Sequence, residues 1–284
     1  MKTQQAKILV NGVSSSTIGV TDRGLQFGDG VFETLRVQKG KTVWWQQHMQ
    51  RLLDGCHRLR FAKLPDIETL RHEANELLAD CNSGTLKIII TRGNSSSGYA
   101  ASTETIPNRI LMLTPGHRHQ SKAEQGIVLG VCKQQISGSQ QLSGIKHLNR
   151  LEQVLARTEC QSEGWDEGLM LDHRNRIIEG SMSNLFLWQQ DRLLTPQLDQ
   201  TGIRGICRDR IMSLAEEQGI KVKQCEIDLG DLPNSDGLFV TNSLIGIWPV
   251  VQFRCRHLKE RQFEIAANTR LLQEKLEADI CSAD

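Results

Sequence analysis

Two residues of this chain could do chemistry together: Lys146, in the run Gly144-Ile145-Lys146-His147-Leu148-Asn149-Arg150-Leu151-Glu152, and Glu179, in Ile177-Ile178-Glu179-Gly180. A lysine amine condenses with an aldehyde to a Schiff base, and a carboxylate pairs with a protonated pyridine nitrogen; together these are the core equipment of pyridoxal phosphate chemistry. Singly, each has an ordinary reading, because most lysines are solvated surface charges and most Glu-Gly pairs end a strand. Further signals must carry the case. A phosphate brings about two negative charges, best held by a cation and by the backbone N–H groups of a helix N-terminus. Arg51, within His48-Met49-Gln50-Arg51-Leu52, supplies the cation, and Gly205-Ile206-Cys207-Arg208 stands where a helix should begin.

The elements that must position these groups follow from hydrophobic spacing. Met49, Leu52, Leu53, Cys56 and Leu59 predict an amphipathic helix over 47–59, and Ile67, Leu70, Ala74, Leu77, Leu78 and Cys81 a second over 66–81. Strands are expected at 8–10, closed by the turn signal Asn11-Gly12, at 31–37 with Thr34 inside, and at 86–91 and 109–114. Three glycines, Gly24, Gly28 and Gly30, suggest a loop where the backbone approaches something closely. The polar stretch with Pro115-Gly116 reads as a linker. It predicts a smaller N-terminal α/β domain over 1–115, a linker over 116–123 and a larger C-terminal domain over 124–284.

Beyond the linker, strands are expected at 127–132, 168–171, 176–178, 185–188, 222–227 and 238–241. Helices are expected at 149–163, from about 205, and at 264–277. Strands mixed with helices on both sides of a linker indicate two α/β or α+β domains, with the cleft between them as the default place for an active site.

Bulk properties set exclusions. A chain of 284 residues with 38% hydrophobic and 24% charged side chains is an ordinary globular composition, and a net charge of +1 provides no field for nucleic acid or an anionic membrane. The first ten residues lack the apolar core of a signal peptide, and no stretch reaches membrane-spanning length. Eight scattered cysteines without a C-x-x-C pair read as reduced thiols of a cytoplasmic protein. His117 and His119, on the linker without acidic or thiol neighbours, read as solvated, and no metal is expected.

The ordered motifs resemble a known family, the fold-type IV pyridoxal phosphate enzymes, also called the class IV aminotransferases. The resemblance rests on Asp22-Arg23-Gly24-Leu25-Gln26-Phe27-Gly28-Asp29-Gly30-Val31-Phe32-Glu33, on His48-Met49-Gln50-Arg51-Leu52, on the Lys146 segment, on Glu179-Gly180 with Asn184-Leu185-Phe186, and on Gly205-Ile206-Cys207-Arg208. It implies a two-domain α/β fold with pyridoxal 5'-phosphate at the domain interface, in a homodimer to which the adjacent Trp44 and Trp45 could contribute an apolar patch, if they are not core. By resemblance, Lys146 carries the cofactor and becomes the catalytic base. Glu179 keeps the ring nitrogen protonated, and Arg51, the amides of Ile206 and Cys207, and the Ser243 hydroxyl hold the phosphate.

Within the family, branched-chain aminotransferases carry Glu-Gly where this chain has Glu33-Thr34, and D-amino acid transaminases carry an Arg-x-His pair that is missing after Arg92-Gly93. The run from Gly144 through Asn149-Arg150-Leu151-Glu152, with Gly98-Tyr99 and Thr34, is similar to the 4-amino-4-deoxychorismate lyases. That implies cleavage of aminodeoxychorismate to 4-aminobenzoate, a folate precursor, and pyruvate, with Lys146 taking the ring C4 proton and Thr34 sharing in proton handling. Those lyases often have Arg where this chain has Ser97 before Gly98-Tyr99; Tyr99, Arg92 and Arg109 are the remaining candidates for holding the substrate. Two alternatives stay open, a D-amino acid transaminase and a non-catalytic pyridoxal phosphate-binding module.

Overall fold

In the third strand, Val31, Glu33, Leu35 and Val37 are buried while the residues between them are half-buried, so one face of a sheet is covered and the other is not. This comes from a computed structural model that describes residues 6–96, 98–116, 120–256 and 258–283. Ser97, His117 and His119 lie outside them. The chain divides into two units, Met1–His117 with Ile145–Asn149 and Cys281–Asp284, and Arg118–Gly144 with Arg150–Ile280.

The first unit contains β1 (Lys7–Val10), β2 (Val13–Ser14), α1 (Arg23–Phe27), β3 (Gly30–Gln38), β4 (Lys41–Thr42), α2 (Trp45–Arg58), α3 (Ile67–Leu78), β5 (Ser83–Thr91) and β6 (Asn108–Pro115). Its sheet runs in the order β2-β1-β6-β5-β3-β4 and is antiparallel throughout. Cross-strand register puts Val31 with Ile90 and Arg109, and Leu35 with Leu86 and Leu113, on the covered face. Met49, Leu52 and Cys56 of α2, with Leu70, Ala74 and Leu77 of α3, are buried as their spacing predicts. Each of the Leu and Met side chains among them contributes about 1.5–3 kcal/mol on burial. Asp66 caps α3 by accepting from the Thr69 amide at 3.0 Å. Trp44 and Trp45 are both buried within the chain, so they are core rather than an interface patch.

The glycine-rich segment holds a short helix. Asp22 caps α1 by accepting from the Leu25 amide, and Gly28 ends it at φ 64, a conformation that suits glycine. A Cβ on Gly30 would lie 2.4 Å from the Ile90 carbonyl oxygen, which explains the close approach expected there.

The lysine segment departs from the linear division. Phe32 donates its amide to the Lys146 carbonyl at 2.9 Å and Leu148 donates to the Gly30 carbonyl at 3.0 Å, so Ile145–Asn149 pairs along β3 and belongs to the first unit. A helix, α4 (Gln120–Gln125), also begins inside the stretch expected to be a linker.

The second unit adds β7 (Ile127–Val131), α5 (Leu151–Glu163), β8 (Glu167–Leu171), β9 (Ile177–Gly180), β10 (Asn184–Gln189), β11 (Arg192–Pro196), α6 (Ile206–Glu217), β12 (Lys221–Cys225), β13 (Gly237–Asn242), β14 (Gly246–Phe253), β15 (Arg261–Gln262) and α7 (Ala267–Ser282), whose last residues count with the first unit. The sheet order is β12-β11-β10-β13-β14-β7-β8-β9, with β15 against β14. Strand β7 runs parallel to both β8 and β14, as β11 does to β12, and the other pairs are antiparallel. Ile127, Leu129, Leu169, Leu185, Leu187, Val240, Val250 and Phe253 form its core. All eight cysteines are free thiols, five of them buried as small hydrophobes.

Candidate active site

In the first unit the side chain of Lys146 is set by the pairing of its backbone with β3. Its Nζ lies 4.4 Å from the centroid of the Phe32 ring. Strand alternation puts Thr34 on the same face of β3 as Phe32, and Glu33 on the face covered by helices. That buried Glu33 is gripped from α2, where His48 and Arg51 are three residues apart and share one side of the helix. Arg51 donates Nε to Oε1 at 2.7 Å and Nη2 to Oε2 at 2.6 Å, and His48 Nδ1 meets Oε2 at 2.6 Å.

Burial alone would raise the Glu33 pKa, but the Arg51 guanidinium, with His48 beside it, wins and holds it down to about 2. Burial pushes the His48 pKa below its ordinary value, against the pull of Glu33. At neutral pH Glu33 is therefore an anion and His48 a neutral donor. Glu33 takes two of the five guanidinium N–H groups and fixes the plane of Arg51.

Sequence reasoning assigned no role to Glu33 or His48. The signal was available: Glu33 is the one charge among the inward positions Val31, Leu35 and Val37 of an alternating strand.

The arginines expected near the substrate have other partners. Arg92 chelates Asp29 at 2.7 and 2.9 Å and also donates to the carbonyls of Leu59 and Arg60, so it ties α1 to the end of α2. Arg109 chelates Glu73 of α3, with Nη2 at 2.7 Å, on the covered face of the sheet opposite Thr34 and Phe32. Neither stands with Lys146. Tyr99 is different: the residue is 90% exposed, with its ring centroid 5.4 Å from that of Phe27. Its segment is held by the buried Arg23, which donates to the carbonyls of Gly98 and Tyr99 at 2.7 Å each.

The second unit assembles the other predicted residues through backbone groups. Glu179, buried on β9, accepts from the Ile203 amide at 2.7 Å, and Asn184 of β10 donates to the Ile203 carbonyl at 2.9 Å. Ile203 thus sits in a two-sided grip just before α6. Gly205 is the N-cap of α6 and offers no side-chain cap. A Cβ there would meet Asn184 Oδ1 at 2.0 Å, so a side chain at this position would push the Asn184 amide away from its bond to Ile203. Cys207 Sγ lies 2.9 Å from Thr241 Oγ1, which sets the end of β13 against the start of α6. Asn242 then accepts from the amides of Leu244 and Ile245, folding the turn that carries Ser243 at that same end. Gly144, two residues before Lys146, is bridged to Ile203.

These donor sets match the parts of pyridoxal phosphate. A helix N-terminus whose cap is a glycine suits a phosphate, and a buried carboxylate suits a protonated ring nitrogen. A lysine amine beside an aromatic ring suits the aldehyde carbon.

The family profile described as "Amino-transferase class IV" matches residues 30–253. An aminodeoxychorismate lyase from Vibrio harveyi is 32% identical over 272 residues, 94% of this chain and 98% of that protein. The crystal structure of 4-amino-4-deoxychorismate lyase from Pseudomonas aeruginosa superposes with a TM-score of 0.89 at 38% identity, covering 96% of this chain and 99% of that one. A D-alanine aminotransferase from Listeria monocytogenes is 29% identical, over 86% of each chain. The chain belongs to the class IV aminotransferase family, the pyridoxal phosphate-dependent enzymes of fold-type IV.

Proposed function

We propose that this enzyme converts 4-amino-4-deoxychorismate to 4-aminobenzoate and pyruvate. The observation that carries the reading is the placement of Lys146 Nζ over Phe32, on the face of β3 that also bears Thr34. The lyase relatives support it, and so does the run after Arg92-Gly93, which has no Arg-x-His pair to clamp an amino acid carboxylate.

Pyridoxal phosphate, when bound, supplies an electron sink conjugated to the substrate's amino nitrogen. The chain's own residues do the rest. Ile206 and Cys207 amides, Ser243 and Arg51 hold the phosphate, and Glu179 holds a proton on the ring nitrogen. Lys146 Nζ removes the proton from ring C4 of the substrate, Thr34 shares in its handling, and the enolpyruvyl group departs from C3 as pyruvate. Aromatisation of the product supplies the driving force, so the protein has chiefly to orient the C–H bond over the amine. A positioned base of this kind contributes about 10²–10⁴ in rate. The reading includes a homodimer working in the cytoplasm; sedimentation of the purified protein tests the assembly. Among the described residues no helix is long and apolar enough to cross a membrane.

Purified protein incubated with aminodeoxychorismate and no keto acid should release 4-aminobenzoate and pyruvate together. Release of pyruvate only from D-alanine with 2-oxoglutarate would replace this reading with the transaminase.

A further inference from the structure

A fully buried carboxylate that the mechanism does not use lies close behind Glu179. Glu167, at the start of β8, has no exposed surface, and the Arg157 guanidinium lies 3.8 Å away. Burying a charge in this way is costly unless hydrogen bonds replace its water. Here they do. Oε1 accepts from its own strand through the Gly168 amide at 2.8 Å, and from the Ser181 amide at 3.0 Å and the Ser181 hydroxyl. Oε2 accepts from the Ser183 hydroxyl at 2.7 Å.

Three of these four donors belong to one tight turn. Gly180 donates to the Ser183 carbonyl at 2.6 Å and Ser181 to the Gly168 carbonyl at 2.9 Å. A Cβ on Gly180 would fall 2.4 Å from Ser183 Oγ and 3.0 Å from Glu167 Cδ, so the turn closes directly on the carboxylate. The turn joins Glu179, the last-but-one residue of β9, to Asn184, the first of β10. Those are the two residues that grip Ile203, three residues before α6.

We infer that Glu167 is a positioning residue for the cofactor. Its buried charge fixes the Gly180–Ser183 turn, and through Glu179, Asn184 and Ile203 it sets both the carboxylate facing the ring nitrogen and the helix end facing the phosphate. The inference rests on the pyridoxal phosphate reading of Glu179 and α6. Glu167 touches neither group; it acts by holding the frame. A carboxylate does this better than an amide because all four contacts are donors, and glutamine would confront one of them with its own N–H.

The test compares the parent protein with Glu167→Gln, with Ser183→Ala, and with Leu276→Ala as a control that loosens the buried α7 instead. Amide exchange of Ile203 in the cofactor-free protein is read by NMR, and cofactor affinity and the pH midpoint of its visible absorption band in the loaded protein. Glu167→Gln should speed Ile203 exchange and weaken pyridoxal phosphate binding, each by about five-fold or more, since local opening is set by the bonds that hold the segment. It should also move the absorption midpoint, while Ser183→Ala shows smaller changes of the same sign and Leu276→Ala shows none. Exchange and affinity within twofold of the parent in Glu167→Gln overturn the inference; if that variant does not fold, the same result in Ser183→Ala does so. A parent that exchanges normally but takes up no pyridoxal phosphate overturns the underlying reading instead.

Discussion

The two units fix their polar groups in different ways. The first relies on paired side chains: Arg51 with Glu33, Arg23 and Arg92 with Asp29, and Arg109 with Glu73. The second relies on backbone, with Ile203 held from both sides and α6 opening on a glycine packed against Asn184. A side-chain site is lost when one residue changes, whereas a backbone site is lost only when the chain path changes. Mutational sensitivity should therefore be concentrated at functional groups in the first unit and at glycines and turn anchors in the second.

That contrast can be broken at graded points. The largest effect is expected for Lys146→Ala, which removes the base and the covalent anchor together. Turnover should fall by at least about 10²–10⁴, the worth of the proton transfer alone, with the unfolding curve unchanged. Next is Arg51→Ala, which strands the buried Glu33 carboxylate; urea denaturation should show a loss of about 3–5 kcal/mol.

The same cluster should make the protein labile to acid. The folded-state pKa values of Glu33 and His48 are both lowered, so the folded state binds these protons less readily than the unfolded chain and stability falls with pH. The decline begins as pH drops through the ordinary histidine range and steepens between 4.5 and about 2, where Glu33 contributes a loss of about 3 kcal/mol. Denaturation midpoints measured across that window check the sign, and Arg51→Ala should flatten the acid limb.

In the second unit, Gly205→Ala should weaken pyridoxal phosphate binding by about tenfold, the scale of one displaced hydrogen bond. Cys207→Ala, which keeps its amide, should change binding much less. Equilibrium dialysis separates the two, and equal losses would contradict the backbone account. The smallest effect on catalysis is expected for Arg109→Ala: kcat/KM for aminodeoxychorismate should be unchanged, although stranding the buried Glu73 carboxylate costs stability.

Much of this was legible in the sequence because it is local. The apolar spacing of α2 and α3, the Asn-Gly turn at φ 52 and 80, and the helix starting after Gly205 all follow from short stretches of chain. What was hidden is non-local. Ile145–Asn149 reads as part of the C-terminal domain until its hydrogen bonds to Gly30 and Phe32 are seen. Strand β14 contains Pro249, which argues against a strand in the interior of a sheet. Arg92 and Arg109 look available in sequence because Asp29 and Glu73, which neutralise them, are 63 and 36 residues away.

Every other role in the site depends on Lys146 being the residue that carries the cofactor. Borohydride reduction of the loaded protein, followed by proteolysis and mass spectrometry, tests this directly. One pyridoxyl group is expected, on the peptide containing Lys146; a label on another lysine, or no label on a protein that retains the cofactor's absorbance, would rule that role out.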